Sequence, residues 1–267
     1  MTNSQKSKNK TEKRTALITG AATGIGLACA TILAENGMQV AIADIDIERA
    51  VKSADELNAA GYSATAIHMD VANEDDVNNG VAQCLSVFGS MDVLVSNAGI
   101  QIVHPFEEYP FSDWKKMMAI HADGAFLTSK AAYTHMKANG GGKIIFMGSV
   151  SSHTVSRLKA AYSFAKHGLL GLCRVIAREG ADYNIHSYTI CPAFVLTALV
   201  ERQIPEQARA LGISEEEVIR TIVLKDTVDG KVTTLDEVAR IVQFVADDAS
   251  GSFTGQSFNV SHGWCMK

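Results

Sequence analysis

The 267-residue sequence lacks several features that would place it in other classes of protein. No apolar run approaches the roughly 20 residues that a membrane-spanning helix needs. The 5 cysteines form no CxxC pair, and none of the 8 histidines has the HExxH spacing of a zinc site. The net charge of −5 argues against a general nucleic-acid partner. We therefore expect a soluble, cytoplasmic protein without a catalytic metal, a nucleic-acid partner or a membrane partner.

What the sequence does contain suits one large domain. Hydrophobic residues make up 47% and charged residues 20%, which is ordinary globular composition for a chain long enough to bury a substantial core. Residues 1–13 are polar and rich in lysine, and they are predicted to form a disordered tail, with a binding arm as the alternative. The folded domain is predicted to cover residues 14–267.

Seven short apolar runs alternate with longer segments of helical period, which predicts an α/β fold with a parallel, doubly wound sheet. The predicted strands are Ala16–Thr19, Gln39–Ala43, Ala64–Met69, Val93–Ser96, Lys143–Met147, His186–Ile190 and Ser257–Val260. Right-handed crossovers favour the Rossmann-type strand order 3-2-1-4-5-6-7, which puts ligands at the carboxyl ends of the strands. A long polar stretch at about 194–233 interrupts the alternation and is a candidate lid.

A glycine-rich turn after the first strand predicts a dinucleotide site. Gly20, Gly24 and Gly26 allow a tight turn, close approach of a pyrophosphate and close packing of the following helix. Asp44 ends the second strand, where its carboxylate can accept both hydroxyls of the adenosine ribose and repel a 2′-phosphate. The predicted cofactor is therefore NAD and not NADP. A glycine turn without a ligand and a helix N-cap role for Asp44 are the alternatives.

A serine, a tyrosine and a lysine downstream of this turn predict oxidation of an alcohol by hydride transfer. Tyr162 and Lys166 lie one helical turn apart, so the lysine can lower the phenol pKa, ordinarily about 10, by roughly 1–3 units. Ser149 ends the fifth strand and can donate to the substrate oxygen. Tyr133 and Lys137 repeat the spacing, but no serine stands at the corresponding distance before them.

Together these motifs are similar to those of the short-chain dehydrogenase/reductase family, over the chain from Arg14 to Trp264. The resemblance implies this set of cofactor-binding residues: Gly20, Thr23, Gly24, Ile25, Gly26, Asp44, Asp70, Val71, Asn97, Ala98, Gly99, Tyr162, Lys166, Pro192, Val195 and Thr197. It also implies a homotetramer that packs the helices carrying Tyr133 and Tyr162 across two-fold axes.

The catalytic half of the chain departs from the family pattern in two places. His121 takes the place of the asparagine that is usually the fourth catalytic residue. Its imidazole can bond a water or a backbone carbonyl, and a satisfied core histidine is the alternative. Ala193 follows Pro192 where the family usually has a glycine.

The segments around the predicted substrate site are most similar to the branch of the family that acts on D-3-hydroxybutyrate. Lys159, three residues before Tyr162, can pair with a carboxylate close to the reacting carbon. The other implied substrate-binding residues are Gln101, Ser149, Ser151, Tyr162, Gln203 and Trp264. Ser151 stands where related enzymes often carry a histidine. A larger or differently shaped 3-hydroxy acid is therefore an alternative substrate.

The predicted function is an NAD-dependent oxidoreductase that interconverts a small 3-hydroxy acid and its 3-oxo acid. Action on another secondary alcohol or ketone, such as a polyol, a steroid or a 3-oxoacyl thioester, is the alternative among enzymes. A dinucleotide sensor without turnover is the alternative outside enzymes, and the intact set of Ser149, Tyr162 and Lys166 argues against it.

Overall fold

Seven apolar runs form one parallel sheet in the predicted order 3-2-1-4-5-6-7. The structure is a computed structural model that describes residues 13–195 and 198–267, with the backbone alone for residues 198–203. Its strands are β1 (Thr15–Thr19), β2 (Gln39–Asp44), β3 (Ala64–His68), β4 (Val93–Ser96), β5 (Gly142–Met147), β6 (Ile185–Pro192) and β7 (Ser257–Val260). Their apolar composition follows from the parallel arrangement, in which helices cover both faces of the sheet.

Strand ends differ from the prediction by one or two residues. β3 ends at His68, one residue early, and β6 continues to Pro192, two residues late. β6 is longer because β7 still pairs with it beyond its last partner on β5, so that Pro192 lies opposite Val260. The proline is tolerated because its missing N–H falls at the end of the ladder.

Helices pack on both faces of the sheet. In the described part of the chain they are α1 (Gly24–Glu35), α2 (Ile47–Ala59), α3 (Glu74–Phe88), α4 (Phe111–Met118), α5 (Gly124–Ala138), α6 (Ala160–Gly180), α7 (Ala198–Leu211), α8 (Glu215–Val218) and α9 (Leu235–Asp247). Side chains fix several helix starts: Asn73 caps α3, and Thr234 and Glu237 form a capping box on α9. A π-helical turn, Ala119–Asp123, joins α4 to α5.

Two apolar cores lie on opposite faces of the sheet. Because successive side chains of a strand point to opposite sides, Ile18 joins the core that includes Leu33 of α1 and Val242 of α9. Its neighbour Leu17 joins the core that includes Val77 of α3 and Ala132 of α5. Both cores pack closely against the strands, so they hold the strand ends, and the loops that follow them, in fixed positions.

The carboxyl ends of all the strands lie at one edge of the sheet. β1 lies between β2 and β4, at the point where the strand order reverses. The turn after β1 therefore opens beside the segment after β4, and this is the position where ligands bind in sheets of this kind. The residues predicted to bind the cofactor lie at or beyond the ends of β1, β2, β3, β4, β5 and β6.

The stretch predicted as a lid contains α7, α8 and a second π-helical turn, Ile219–Val223. Val195 and Thr233 pair as an isolated parallel bridge, so the two ends of this stretch lie side by side. The lid role remains a prediction, and the predicted tail lies outside the described residues except for Lys13. Within the described ranges, no helix is long and apolar enough to cross a membrane.

Candidate active site

The turn between β1 and α1 has the shape that a pyrophosphate requires. Gly20 has a φ of +61°, and a Cβ at this position would lie 2.7 Å from the Cα of Ala98. A Cβ at Gly26 would lie 2.7 Å from Nδ2 of Asn97, so glycine is needed there for packing. Thr23 precedes α1 in an extended conformation and makes no side-chain capping bond. The first N–H groups of α1 are therefore available to an anion.

Asn97 supports this turn from the end of β4. Its Nδ2 donates to the carbonyl oxygens of Thr19 and Gly20, at 2.9 and 3.0 Å. The Oγ1 of Thr19 accepts from the backbone N–H groups of Asn97 and Ala98, at 3.0 and 3.1 Å. These bonds fix the β4 segment against the glycine turn, and they give the amide of Asn97 a supporting part in addition to any contact with a ligand.

Asp44 is held at the end of β2 by two backbone groups. Its Oδ2 accepts from Ala22 N at 2.9 Å, and its Oδ1 accepts from Asp46 N at 3.0 Å. The N-cap of α2 is Asp46, whose side chain accepts from Arg49 N. Asp44 therefore does not cap the helix, and it lines the cavity at the strand ends.

One cavity of about 430 Å³ brings most of the predicted residues together. The predicted residues that line it are Gly20, Thr23, Gly24, Ile25, Asp44, Asp70, Val71, Asn97, Ala98, Gly99, Gln101, His121, Ser149, Ser151, Lys159, Tyr162, Lys166, Pro192, Val195 and Trp264. Gly26 lies under the turn and not in this lining. Thr197 and the side chain of Gln203 lie outside the described residues. The predicted binding roles of the lining residues remain predictions.

Ser149, Tyr162 and Lys166 meet in the middle of this cavity. Tyr162 forms a hydrogen bond with Ser149, and the Nζ of Lys166 lies 5.5 Å from the centroid of the tyrosine ring. Lys166 Nζ also donates to the carbonyl oxygen of Met147 at 2.6 Å, which fixes the ammonium beside the end of β5. The N-terminal end of α6 and the carboxyl end of β5 thus bring the three side chains to one point.

The pKa of Tyr162 does not follow the expected lowering. Burial raises the pKa of Tyr162 above its ordinary value, and the bond from Ser149 opposes this only in part. Burial also lowers the pKa of Lys166 to about 8. Spacing along a helix indicates the charge of the lysine but not the loss of water around both groups, and burial disfavours the charged form of each.

His121 bonds the backbone after β4 from inside the π-helical turn. Its Nε2 lies 2.7 Å from the carbonyl oxygen of Ile100 and 3.2 Å from Ile100 N. The shorter distance favours the tautomer with its proton on Nε2, donating to the carbonyl. The imidazole edge meets the ring of Tyr162, with the centroids 5.5 Å apart. Burial and the nearby Lys166 lower the pKa of His121 to about 3, so the ring is neutral at physiological pH.

Lys159 lines the cavity beside Phe194, at the start of α6. The residue is only 6% exposed, and its Nζ lies 5.0 Å from the centroid of the Phe194 ring. None of the described acidic side chains forms an ion pair with it, and burial lowers its pKa to about 8. A buried ammonium without a counter-ion is costly unless an anion binds beside it. This part of the cavity therefore suits an anionic group.

Aromatic side chains form a wall beside Lys159. The rings of Phe194 and Trp264 make an edge contact with centroids 6.4 Å apart, and both residues line the cavity. Sequence reasoning missed Phe194, although its position at the start of the excursion after β6 was a usable signal. Ser151 lines the cavity at the position where related enzymes often carry a histidine.

The second tyrosine and lysine pair lies elsewhere. The hydroxyl of Tyr133 donates to the carbonyl oxygen of Glu179, and Lys137 packs over the ring of Tyr183. Neither residue lines the cavity. Across the described ranges, no group of three or more His, Cys, Asp or Glu side chains is arranged to hold a metal ion.

A family profile, two dehydrogenases and one solved structure are similar to most of this chain. A family profile described as short chain dehydrogenase matches residues 14–208. The D-beta-hydroxybutyrate dehydrogenase of Rhizobium meliloti (strain 1021) is 36% identical, over 94% of this chain and 98% of its own length. The enzyme of that name from Cupriavidus necator is 34% identical, over 94% and 97%. The crystal structure of gox2181 matches with a TM-score of 0.86 and 34% identity, over 95% of this chain and 96% of its own.

Proposed function

Because this chain belongs to the short chain dehydrogenase family, we propose that it is an NAD-dependent oxidoreductase that interconverts a small 3-hydroxy acid, such as D-3-hydroxybutyrate, with its 3-oxo acid. The family resemblance seen in the sequence motifs is confirmed by the profile match and by the two similar dehydrogenases. The acid substrate and the choice of NAD are the finer part of the proposal, and the site residues support them.

The buried ammonium of Lys159 is the observation that carries the choice of an acid. It lies in the same cavity as Ser149 and Tyr162, one helical turn before the tyrosine on α6. A carboxylate bound there would supply a counter-ion that none of the described side chains provides, and it would place the substrate's carbinol carbon within reach of the tyrosine. A neutral polyol or steroid offers Lys159 no anion, so these alternatives leave its burial unexplained.

The position of Asp44 supports NAD. Its two oxygens are oriented by Ala22 N and Asp46 N, and the residue lines the cavity together with Gly20 and Gly24 of the glycine turn. Ribose hydroxyls can donate to them, whereas a 2′-phosphate there would meet a like charge. The glycine turn and the uncapped start of α1 fit the pyrophosphate of the same cofactor.

The side chains of the site divide the chemistry among them. Ser149 donates a hydrogen bond to the substrate oxygen, and Tyr162 takes the hydroxyl proton as the alcohol is oxidised. The base in this step is the tyrosinate form of Tyr162, which Lys166 stabilises through its charge, while the bond from Lys166 to the carbonyl of Met147 holds the ammonium in place. Taking the proton returns Tyr162 to its neutral form. When bound, the nicotinamide ring of NAD accepts the hydride from the carbinol carbon. His121 holds the Ile100 backbone and packs against the tyrosine ring.

Initial rates with D- and L-3-hydroxybutyrate, each with NAD and with NADP, test this proposal. We expect turnover of one enantiomer with NAD and a strong preference over NADP. The Lys159→Met variant should lose most activity on the acid through a higher KM. Lys52→Met, which changes an exposed lysine on α2, is the matched control and should behave as wild type. Fast turnover of neutral secondary alcohols that is unaffected by Lys159→Met would overturn the acid assignment.

A homotetramer and a cytoplasmic location complete the proposal. On α5 and α6, Phe126 and Phe164 are large apolar side chains that are more than half exposed in the single chain. Burial of such residues against a second copy favours association through these helices. All five cysteines are free and buried, which suits a reducing compartment. Light scattering of the purified protein measures its mass, and a monomer at micromolar concentration would contradict the tetramer.

A further inference from the structure

Leu158 has a backbone conformation that leucine rarely adopts. Its φ is +68°, in the left-handed region. Among the described non-glycine residues, only Asn184 and His262 share a positive φ. Asparagine tolerates this region because its short polar side chain can bond locally, whereas leucine has no such compensation. Strained positions of this kind persist where the surrounding structure requires them, and they concentrate at functional sites.

The residue immediately after this strained position is Lys159. Lys159 is the N-cap of α6, and its carbonyl oxygen accepts from Ser163 N at 2.8 Å, so its backbone is fixed to the helix. The chain arrives from the exposed Arg157 and reverses direction at Leu158. With Leu158 in the left-handed conformation, the Lys159 side chain lies in the cavity, where Nζ of Lys159 packs over the ring of Phe194. A right-handed or extended residue at 158 would change the direction in which Lys159 enters.

Leu158 also joins two segments that line the cavity. Its carbonyl oxygen accepts from His104 N at 3.1 Å. His104 lies in the segment that follows Gln101, and it is anchored by a 2.9 Å contact with Asp113 on α4. The peptide unit between Leu158 and Lys159 therefore connects Lys159 to the segment that carries Gln101.

We propose that Leu158 is a positioning residue, whose left-handed backbone holds Lys159 in the cavity and ties it to the His104 segment, and thereby sets the affinity for an anionic substrate. The idea rests on the proposed function for the identity of that substrate. It assigns the effect to the backbone conformation at 158 and not to the leucine side chain, and this makes it testable with residues that differ in their tolerance of a positive φ.

The experiment compares four variants by steady-state kinetics with D-3-hydroxybutyrate and by binding of NADH. Leu158→Val, which disfavours the left-handed region, should raise KM about tenfold with little change in kcat and in NADH affinity. Leu158→Gly and Leu158→Asn, which accept that region, should stay within about twofold of wild type. Asn184→Val introduces the same kind of backbone strain away from the cavity, and it should leave KM unchanged.

A second measurement does not depend on the substrate. The rate at which acetic anhydride acetylates Lys159 is followed by peptide mass spectrometry, with the buried Lys166 as an internal reference. Faster labelling of Lys159 in Leu158→Val, but not in Leu158→Gly, supports the positioning role. This holds even if the wild type does not oxidise hydroxy acids and the proposed substrate is wrong. Equal labelling and equal KM in Leu158→Val, Leu158→Gly and wild type would overturn the role. The role would also be overturned if KM rose as much in Leu158→Gly as in Leu158→Val.

Discussion

The imidazole Nε2 of His121 lies 2.7 Å from the carbonyl oxygen of Ile100, in the segment that leads to Gln101. A residue that departs from the family pattern thus bonds the backbone between β4 and the substrate end of the cavity. The same ring packs edge-on against Tyr162. Burial lowers the pKa of His121 to about 3, so this bond is made by a neutral ring across the working pH range.

Replacement of His121 by leucine should therefore impair both stability and turnover. Leucine has a similar size but no donor, so it leaves the Ile100 carbonyl without its partner at a cost of about 1–3 kcal/mol of unfolding free energy. Urea unfolding measures this loss, and kcat/KM reports the effect on the site. His121→Asn restores an amide donor and should recover most of both quantities. Equal behaviour of the leucine and asparagine variants would show that the bond to Ile100 does not matter.

Asp44 is predicted to set the preference for NAD. Asp44→Asn removes the negative charge and keeps one oxygen, which can accept from one of the two backbone N–H groups that now bond the carboxylate. The ratio of kcat/KM for NADP to that for NAD should rise about tenfold or more, a change of about 1.4 kcal/mol or more in relative transition-state stabilisation. Initial rates with both cofactors measure the ratio.

Asp46→Asn is the matched control for this experiment. Asp46 lies two residues further along the same loop and caps α2, but it does not line the cavity. Its replacement keeps a capping oxygen and removes a charge of the same sign at nearly the same distance along the chain. The cofactor preference should not change. A similar shift in both variants would mean that the general charge of the loop, and not the position of Asp44, decides between the cofactors.

The strand pattern and the glycine turn were readable from the sequence because each has a local physical signature. Alternating apolar runs define the strands, and Gly20 and Gly26 stand where a side chain would collide with the β4 segment. The candidate pair Tyr162 and Lys166 was also recognisable from a local pattern, since the two residues lie one turn apart on a single helix. The order of the strands then followed from general rules of chain connection.

Other features depend on contacts between distant parts of the chain. The left-handed φ of Leu158 has no signature in a leucine, and the carbonyl of Met147 that binds Lys166 belongs to backbone that any residue could supply. Phe194 contributes through its packing against Trp264, seventy positions further along the chain. The raised pKa of Tyr162 follows from burial, which spacing along a helix does not reveal.

Binding of carboxylates should weaken as the pH rises above 8. Burial lowers the pKa of Lys159 to about 8, so its ammonium is charged below that pH and is lost progressively above it. The inhibition constant of acetate against D-3-hydroxybutyrate should therefore rise up to about tenfold for each pH unit above that value. Acetamide, which has the same shape without the charge, should show no such rise. In Lys159→Arg the guanidinium stays charged, and the pH dependence of acetate inhibition should disappear.

His262 provides the last prediction, which concerns the segment that carries Trp264. Its Nδ1 lies 2.9 Å from Asp229 Oδ2, at the end of the excursion, and its Nε2 lies 3.3 Å from Glu237 Oε2, in the first turn of α9. The bond to Asp229, with support from Glu237, raises the pKa of His262 above its ordinary value. The imidazole ring of His262 thus connects three segments around the aromatic wall of the cavity.

The sign of the pH effect follows from that raised pKa. Because the folded protein binds the proton more tightly than the unfolded chain, the stabilisation is fully present below the unfolded pKa, ordinarily about 6.5, and is lost as the pH rises through the folded pKa. Wild type should therefore exceed His262→Gln in unfolding free energy at pH 5.5 by more than at pH 9, with Lys231→Met as a control for the neighbouring charge on Asp229. Urea unfolding followed by tryptophan fluorescence measures the difference. If the gap between wild type and His262→Gln stayed constant with pH, the carboxylates would be acting on a ring that is neutral throughout.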